Sequence, residues 1–283
     1  MSDAAPAPTH DWNGDSGDRW AANLARLDLM LQDFGDAAGA AANAKAGEQV
    51  LDIGCGSGTS SFALARCVDP AGHVLGVDIS EQLVAIARAE APAGAPVEFR
   101  LADAATAPLP AGRFDLLFSR FGVMFFDDPV AAFAHMRAAL KPGGRLAFVC
   151  WRGAAENDWV RLPMSAIRDI VDVPAADPQA PGPFAFGDRE RLARILAAAG
   201  FTAIDIAPLD AAIAYGRGAT REEAVDDALD MAFQVGPLSR ALADQPEDGR
   251  ARAAEAGRAA LAKQPGDTSV RIDGAAWIVT ARG

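Results

Sequence analysis

Cysteine is scarce: three residues in 283, Cys55, Cys67 and Cys150. The number is odd and no C-x-x-C spacing occurs, which argues against a disulfide framework and a structural zinc site. No metal ligand set is read, and a reducing cytoplasm is the expected location. Positive charge is also short. Lys and Arg total 26 against 38 Asp and Glu, a formal net charge of -12, and no Lys/Arg stripe with interleaved aromatics stands out. A phosphate backbone would be repelled, so nucleic acid is not an expected partner. No apolar run is long enough for a membrane anchor. Met1 to Thr9 is rich in Ala and Pro without a basic n-region, and reads as a frayed tail rather than a signal peptide. There is no short-period repeat.

What is present is a chain that is 51% hydrophobic, enough to fill the core of a large α/β domain. From Trp20 to Phe34 apolar residues recur at Leu24, Leu27, Met30, Leu31 and Phe34, the spacing of one helix face. Gln49 to Ile53 then reads as a buried strand, Gly54 to Gly58 as a turn and Thr59 to Cys67 as a helix. The alternation continues with strands at His73 to Asp78, Val97 to Ala102 and Phe114 to Ser119, and with helices at Glu81 to Glu90 and Pro129 to Leu140. Lys141-Pro-Gly-Gly144 stops the last helix before a strand from Arg145 to Trp151. This predicts a doubly wound, mostly parallel sheet covered by helices on both faces, with ligands beyond the carboxyl ends of its strands.

Past Trp151 the rhythm breaks. Arg152 to Gly187 is long, Pro-rich and aromatic, and is expected to be a lid or binding loop. A helix at Arg189 to Ala199, a strand from Phe201 to about Pro208, a helical stretch from Thr220 to about Lys263 and a strand from Ala275 to Ala281 complete the pattern. Thr220 and Glu223 are placed to form a capping box. The expected division is an N-terminal tail and helical lid over 1–45, a ligand-binding core over 46–151, and cap insertions with the remaining strands over 152–283.

Strand 1 ends in Asp52-Ile-Gly-Cys-Gly-Ser-Gly58. Glycines at alternate positions let the backbone turn tightly and approach a ligand, while the next helix offers free N–H groups to an anion. A dinucleotide fingerprint would need glycine where Thr59 stands, and a Walker loop would need Gly-Lys-Ser/Thr. Strand 2 ends in Gly76-Val-Asp78, an acidic residue placed to hold two ribose hydroxyls. These features point to a nucleoside.

Val50-Leu-Asp-Ile-Gly-Cys-Gly-Ser-Gly58, Gly76-Val-Asp-Ile-Ser80 and Leu101-Ala-Asp-Ala104 resemble motifs I, II and III of class I S-adenosylmethionine-dependent methyltransferases. The stretch Phe114 to Trp151, with Ser119-Arg-Phe-Gly-Val-Met-Phe-Phe126 and Leu140-Lys-Pro-Gly-Gly144, is similar to bacterial members related to the ubiquinone/menaquinone methyltransferases. The likeness spans nearly the whole chain, including Trp12-Asn-Gly14 and Trp20, and is most specific in the Rossmann-like part. It implies a seven-stranded sheet and S-adenosylmethionine as cofactor, with S-adenosylhomocysteine as product. It also implies that the backbone at Gly54 and Ser119 holds the methionine moiety, with Gly56 and Gly58 completing the turn. By the same resemblance Asp78 holds the ribose, Ile79 packs on the adenine, and Asp103 with the Ala104 N–H binds the adenine edge. Asp52 would lie under the turn, and Trp20 would approach from the N-terminal side.

A sulfonium methyl needs alignment and exclusion of water more than a general base. The acceptor pocket is expected from Arg120, Phe121 and Trp151 at strand ends and from Trp12, Trp20, Trp159, Phe184 and Phe233. Arg120 emerges beside an apolar stretch and should meet either an anionic acceptor or a structural carboxylate such as Asp127 or Asp128. Of the histidines only His10 is placed near the acceptor side, where it is either a catalytic base or part of a solvated tail. The reading is O- or N-methylation of a small organic molecule by a protein with a homodimer as candidate assembly and no expected membrane partner. A quinone C-methyltransferase, a nicotinamide-dependent oxidoreductase and a non-catalytic S-adenosylmethionine sensor are the alternatives.

Overall fold

The computed structural model describes residues 11–172 and 177–283. The expected N-terminal helix is divided in two, α1 (Asp15–Ala22) and α2 (Leu24–Ala42). Asn23 makes the break: it is 4% exposed, and its side chain donates to the Arg19 carbonyl and to Gln234. An amide so placed serves tertiary contacts that helical spacing does not reveal.

The core follows the expected alternation: β1 (Gln49–Ile53), α3 (Thr59–Val68), β2 (His73–Asp78), α4 (Glu81–Glu90), β3 (Val97–Leu101), β4 (Phe114–Arg120), α5 (Pro129–Ala138) and β5 (Leu140–Trp151). Then come α6 (Asp158–Ile167), α7 (Arg189–Ala198), β6 (Thr202–Arg217), α8 (Arg221–Gln234), α9 (Pro237–Ala241), α10 (Glu247–Leu261) and β7 (Ser269–Arg282). The seven strands lie in the order β3-β2-β1-β4-β5-β7-β6. The first five are parallel, and β7 runs antiparallel to both of its neighbours. Strand alternation shows how both faces are covered. Phe148 and Trp151 are an odd number of residues apart on β5 and so point to opposite faces. Phe148 stacks on Phe133 of α5, whereas Trp151 meets Phe34 of α2 edge-on. Phe34, Phe133 and Phe148 are fully buried.

The cap differs more from expectation. The segment read as a loop, Arg152 to Gly187, contains α6, and the helical stretch from Thr220 to Lys263 is three helices, interrupted at Gly236 (φ +102°) and before Pro246. Thr220 accepts the Glu223 N–H, but Glu223 turns back to the Ala219 N–H rather than to Thr220, so only half of the capping box forms. Both final strands are longer than the ranges expected for them, Phe201 to about Pro208 and Ala275 to Ala281. Leu209 pairs with Ala276, level with Trp151 at the end of β5, and the hairpin continues past that rim to Arg217 and Ser269. This projecting ribbon carries α6 and α8, with α10 packed on both helices. Among the described residues no helix is long and apolar enough to cross a membrane.

Candidate nucleoside and acceptor site

The turn after β1 is shaped by positive φ at Gly54 (+64°), Gly56 (+54°) and Gly58 (+91°). At Gly54 a Cβ would sit 2.7 Å from the Gly122 Cα, so two backbones pass where no side chain fits. At Gly56 a Cβ would meet nothing within 4 Å; its left-handed backbone borders open space. The Gly56 N–H donates to Asp78 Oδ2 (2.8 Å) and the Ser80 N–H to Oδ1 (2.9 Å). Asp78 is therefore fixed between the ends of two parallel strands. Burial raises its pKa despite these donors, while each oxygen keeps acceptor capacity for a ligand hydroxyl.

Two large apolar side chains stay uncovered beside it: Ile79 is 42% exposed and Leu101 is 45% exposed. Asp78 and Leu101 are register partners, so an apolar strip and a carboxylate lie together at the carboxyl ends of β2 and β3. In the next turn the Asp103 carboxylate accepts the Ala105 N–H and the Thr106 hydroxyl, and the Asp103 carbonyl accepts the Thr106 and Ala107 N–H groups. The Ala104 N–H is not used by that turn.

Asp52 is fully buried below the glycine turn. The Ser60 and Ser61 hydroxyls both donate to its Oδ2 (2.7 and 2.6 Å), Oδ1 has no partner among the described residues, and burial pushes its pKa up to about 6. It lies beneath the turn and ties it to the first residues of α3 through Ser60 and Ser61. Ser119 is equally buried; its hydroxyl donates to the Ile53 carbonyl and accepts the Gly122 N–H, leaving only backbone for a ligand.

The N-terminal segment is seated on this rim. Asn13 donates to the Ile79 carbonyl (3.0 Å) and accepts the Glu81 N–H (3.0 Å), clamping the loop that carries Asp78. Trp12 meets both Trp20 and Phe125 edge-on. Arg19 donates to Ser239 of α9 (2.5 Å), and Arg26 pairs with Asp227 and Asp230 of α8. Lid and cap are thus joined across the carboxyl rim.

Arg120 is paired with a carboxylate that the sequence reading did not name. Asp28 of α2 lies 2.6 Å from its guanidinium and also accepts the Thr59 hydroxyl (2.8 Å). The pairing with Asp127 or Asp128 is not formed; the Asp128 side chain instead accepts the Ala131 N–H at the start of α5. Asp28 interrupts the apolar run Leu27 to Leu31, a faint signal that it faces something polar. His10 lies outside the described residues. Phe121, at φ +60°, stacks on Trp151 at 4.3 Å, Trp151 meets Trp159 at 5.4 Å, and Trp159 stacks on Phe184. This aromatic wall runs from the turn into the cap. Phe233 packs against the core at its edge.

Fold and site together define a doubly wound α/β domain whose carboxyl rim brings together a carboxylate, an open glycine backbone and two uncovered apolar side chains. Residues 50–144, about a third of the chain, match the family described as "Methyltransferase domain". Aklanonic acid methyltransferase DauC of Streptomyces sp. (strain C5) is 40% identical over 104 residues, 36% of this chain and 47% of that protein. Phosphoethanolamine N-methyltransferase 1 of Triticum aestivum is 39% identical over 103 residues, 36% of this chain and 20% of that protein. The chain thus spans less than half the length of either relative. In fold it is similar to the YcgJ protein of Bacillus subtilis, with a TM-score of 0.56 at 18% identity, covering 92% of this chain and 98% of the other.

Proposed function

We propose that the chain transfers a methyl group from S-adenosylmethionine to an oxygen or nitrogen atom of a small organic molecule. One observation carries this reading: Asp78, the open backbone of Gly56 and the uncovered Ile79 and Leu101 meet at the carboxyl rim beneath a seated lid. Those groups fit an adenosine. Asp78 would accept the ribose hydroxyls, Ile79 and Leu101 would pack on the adenine faces, and the Ala104 N–H would meet the adenine edge. Asp103 would act by holding that turn. Gly54 and Ser119 would offer backbone groups to the methionine end, next to Gly122.

When bound, the cofactor supplies a methyl group already activated by sulfonium charge. The chain then has to orient the acceptor and keep water out. Asn13, Trp12 and Trp20 would close the site on the adenosine side, and α6, α8 and α9 on the acceptor side. Arg120, neutralised by Asp28, would hold α2 against the end of β4, a positioning role. The names of the relatives, a phosphoethanolamine N-methyltransferase and an aklanonic acid methyltransferase, support a small-molecule acceptor. Calorimetric titration of the full chain with S-adenosylhomocysteine and, separately, with NAD tests the reading. One site for the first ligand and none for the second is expected; binding of NAD alone would overturn it in favour of an oxidoreductase.

A further inference from the structure

Trp159, in the first turn of α6, is 8% exposed, and its indole N–H has no hydrogen-bond partner among the described residues. Of the side chains with such an orphaned atom, Arg26 and Arg152 hold ion pairs through other nitrogens, Asp52 accepts two hydroxyls, and Arg137 is orphaned at Nε alone of its three nitrogens. For Trp159 the orphan is its one polar atom. A buried indole N–H ordinarily finds a partner, and leaving it without one is destabilising.

The ring is not loosely placed. Asn157, fully buried, donates to the carbonyls of Arg152, Gly153 and Ala275 and accepts the Ala275 N–H; Asp158 accepts the Asp273 N–H. These bonds fix the start of α6 on β7, immediately before the tryptophan. Phe184 stacks on the ring at 5.4 Å and 27°, and Trp151 lies 5.4 Å away at 49°. A Cβ at Gly236 would touch Cζ3 and Cε3, the edge opposite the nitrogen, so the N–H edge turns away from the α8–α9 connection. From the glycine turn the path to this ring is short: Gly54 abuts Gly122, and Phe121 beside it stacks on Trp151.

We infer that the Trp159 N–H is a specificity-determining donor for the methyl acceptor, and that the acceptor is a flat, largely apolar ring molecule bearing a carbonyl oxygen. This rests on the methyl-transfer reading. The aromatic wall favours a planar apolar body, the orphaned donor calls for one oxygen acceptor, and the nearby Arg120 already has Asp28, so the acceptor needs no negative charge. A site built to donate one hydrogen bond discriminates against analogues without the acceptor atom, because the donor is then left unpaired.

The test uses the full chain, indole-¹⁵N-labelled and saturated with S-adenosylhomocysteine. The probes are 2-acetyl-1-naphthol and its carbonyl-free match 2-ethyl-1-naphthol. The Trp159 indole resonance, assigned by its loss in Trp159→Phe, should move downfield with the acetyl probe and not with the ethyl probe. Calorimetry should give the acetyl probe a roughly 3- to 10-fold tighter Kd, a preference that vanishes in Trp159→Phe while S-adenosylhomocysteine affinity is kept. An unmoved resonance with the acetyl probe bound, equal losses for both probes in the variant, or no binding of either probe would overturn the inference. The wild-type spectrum decides the matter even if the variant folds poorly. Failure to bind S-adenosylhomocysteine at all would instead strike the methyl-transfer reading on which the inference stands.

Discussion

The turn after β1 and the start of α6 both bury polar groups at the carboxyl rim, yet they treat them differently. Around the turn Asp78 is matched to Gly56 and Ser80 and Ser119 to Ile53 and Gly122, while Asp52 beneath it is matched at one oxygen by Ser60 and Ser61. In the cap Asn157 is matched completely, whereas the indole N–H of Trp159, two residues on, has no partner among the described residues. On the proposed reading the first region is a cradle of backbone and short side chains for one fixed ligand. The second is a wall of rings with one donor in reserve, a form suited to a particular acceptor.

The largest effect that would break this contrast is at Asp78. Asp78→Ala removes the acceptor of two backbone N–H groups and the proposed ribose partner, and should weaken S-adenosylhomocysteine at least 100-fold, about 3 kcal/mol, with the circular dichroism spectrum kept. Unchanged affinity would take Asp78 out of the site. Next in size is the lid. A chain beginning at Trp20, or Asn13→Ala in the full chain, loses the clamp on Ile79 and Glu81. Cofactor affinity should fall roughly tenfold in the truncation and less in the point variant; full turnover by the truncated protein would show that the seated segment is idle.

A third prediction sharpens the role of Asp52. Its folded pKa of about 6 lies above the ordinary 3.8, so between those values the folded protein binds a proton that the unfolded chain does not. Its contribution is full below pH 3.8, declines as pH rises and is gone above about 6. The stability of wild type relative to Asp52→Asn should fall by on the order of 2–3 kcal/mol from pH 4 to pH 7. A flat difference in chemical denaturation would contradict the buried, half-satisfied carboxylate. The smallest effect is expected at the Asp28–Arg120 pair, which is partly exposed. Arg120→Gln and Asp28→Asn should each cost about 1 kcal/mol, with the double variant little worse than either. A raised KM with an unchanged melting curve would instead make Arg120 an acceptor contact.

The same contrast explains what could be read from the sequence. Gly54, Gly56, Asp78 and the strands that carry them are adjacent in the chain, because strand, turn and helix are local and place their ligands by backbone geometry. Asp28, Asn157 and the orphaned nitrogen of Trp159 depend on contacts across as many as 118 residues, which no periodicity records. The cap helices were blurred for a related reason. Between Thr220 and Lys263 the alanine-rich pattern stays helical while Gly236 and Pro246 break it, and in the β6 arm of the ribbon past the rim three alanines, Ala211, Ala212 and Ala214, mask the alternation.

The central claim is methyl transfer at this rim, and isotope-labelled turnover tests it most directly. Full-length protein would be incubated with S-adenosylmethionine carrying a trideuterated methyl group and a panel of small phenols, ketones and amines, and the products followed by mass spectrometry with Asp78→Ala as the blank. The account predicts at least one acceptor that gains the labelled methyl with wild type and not with Asp78→Ala. Tight binding of S-adenosylhomocysteine with no labelled product from a carbonyl-bearing aromatic or any other member of the panel would contradict it and leave a sensor in place of an enzyme.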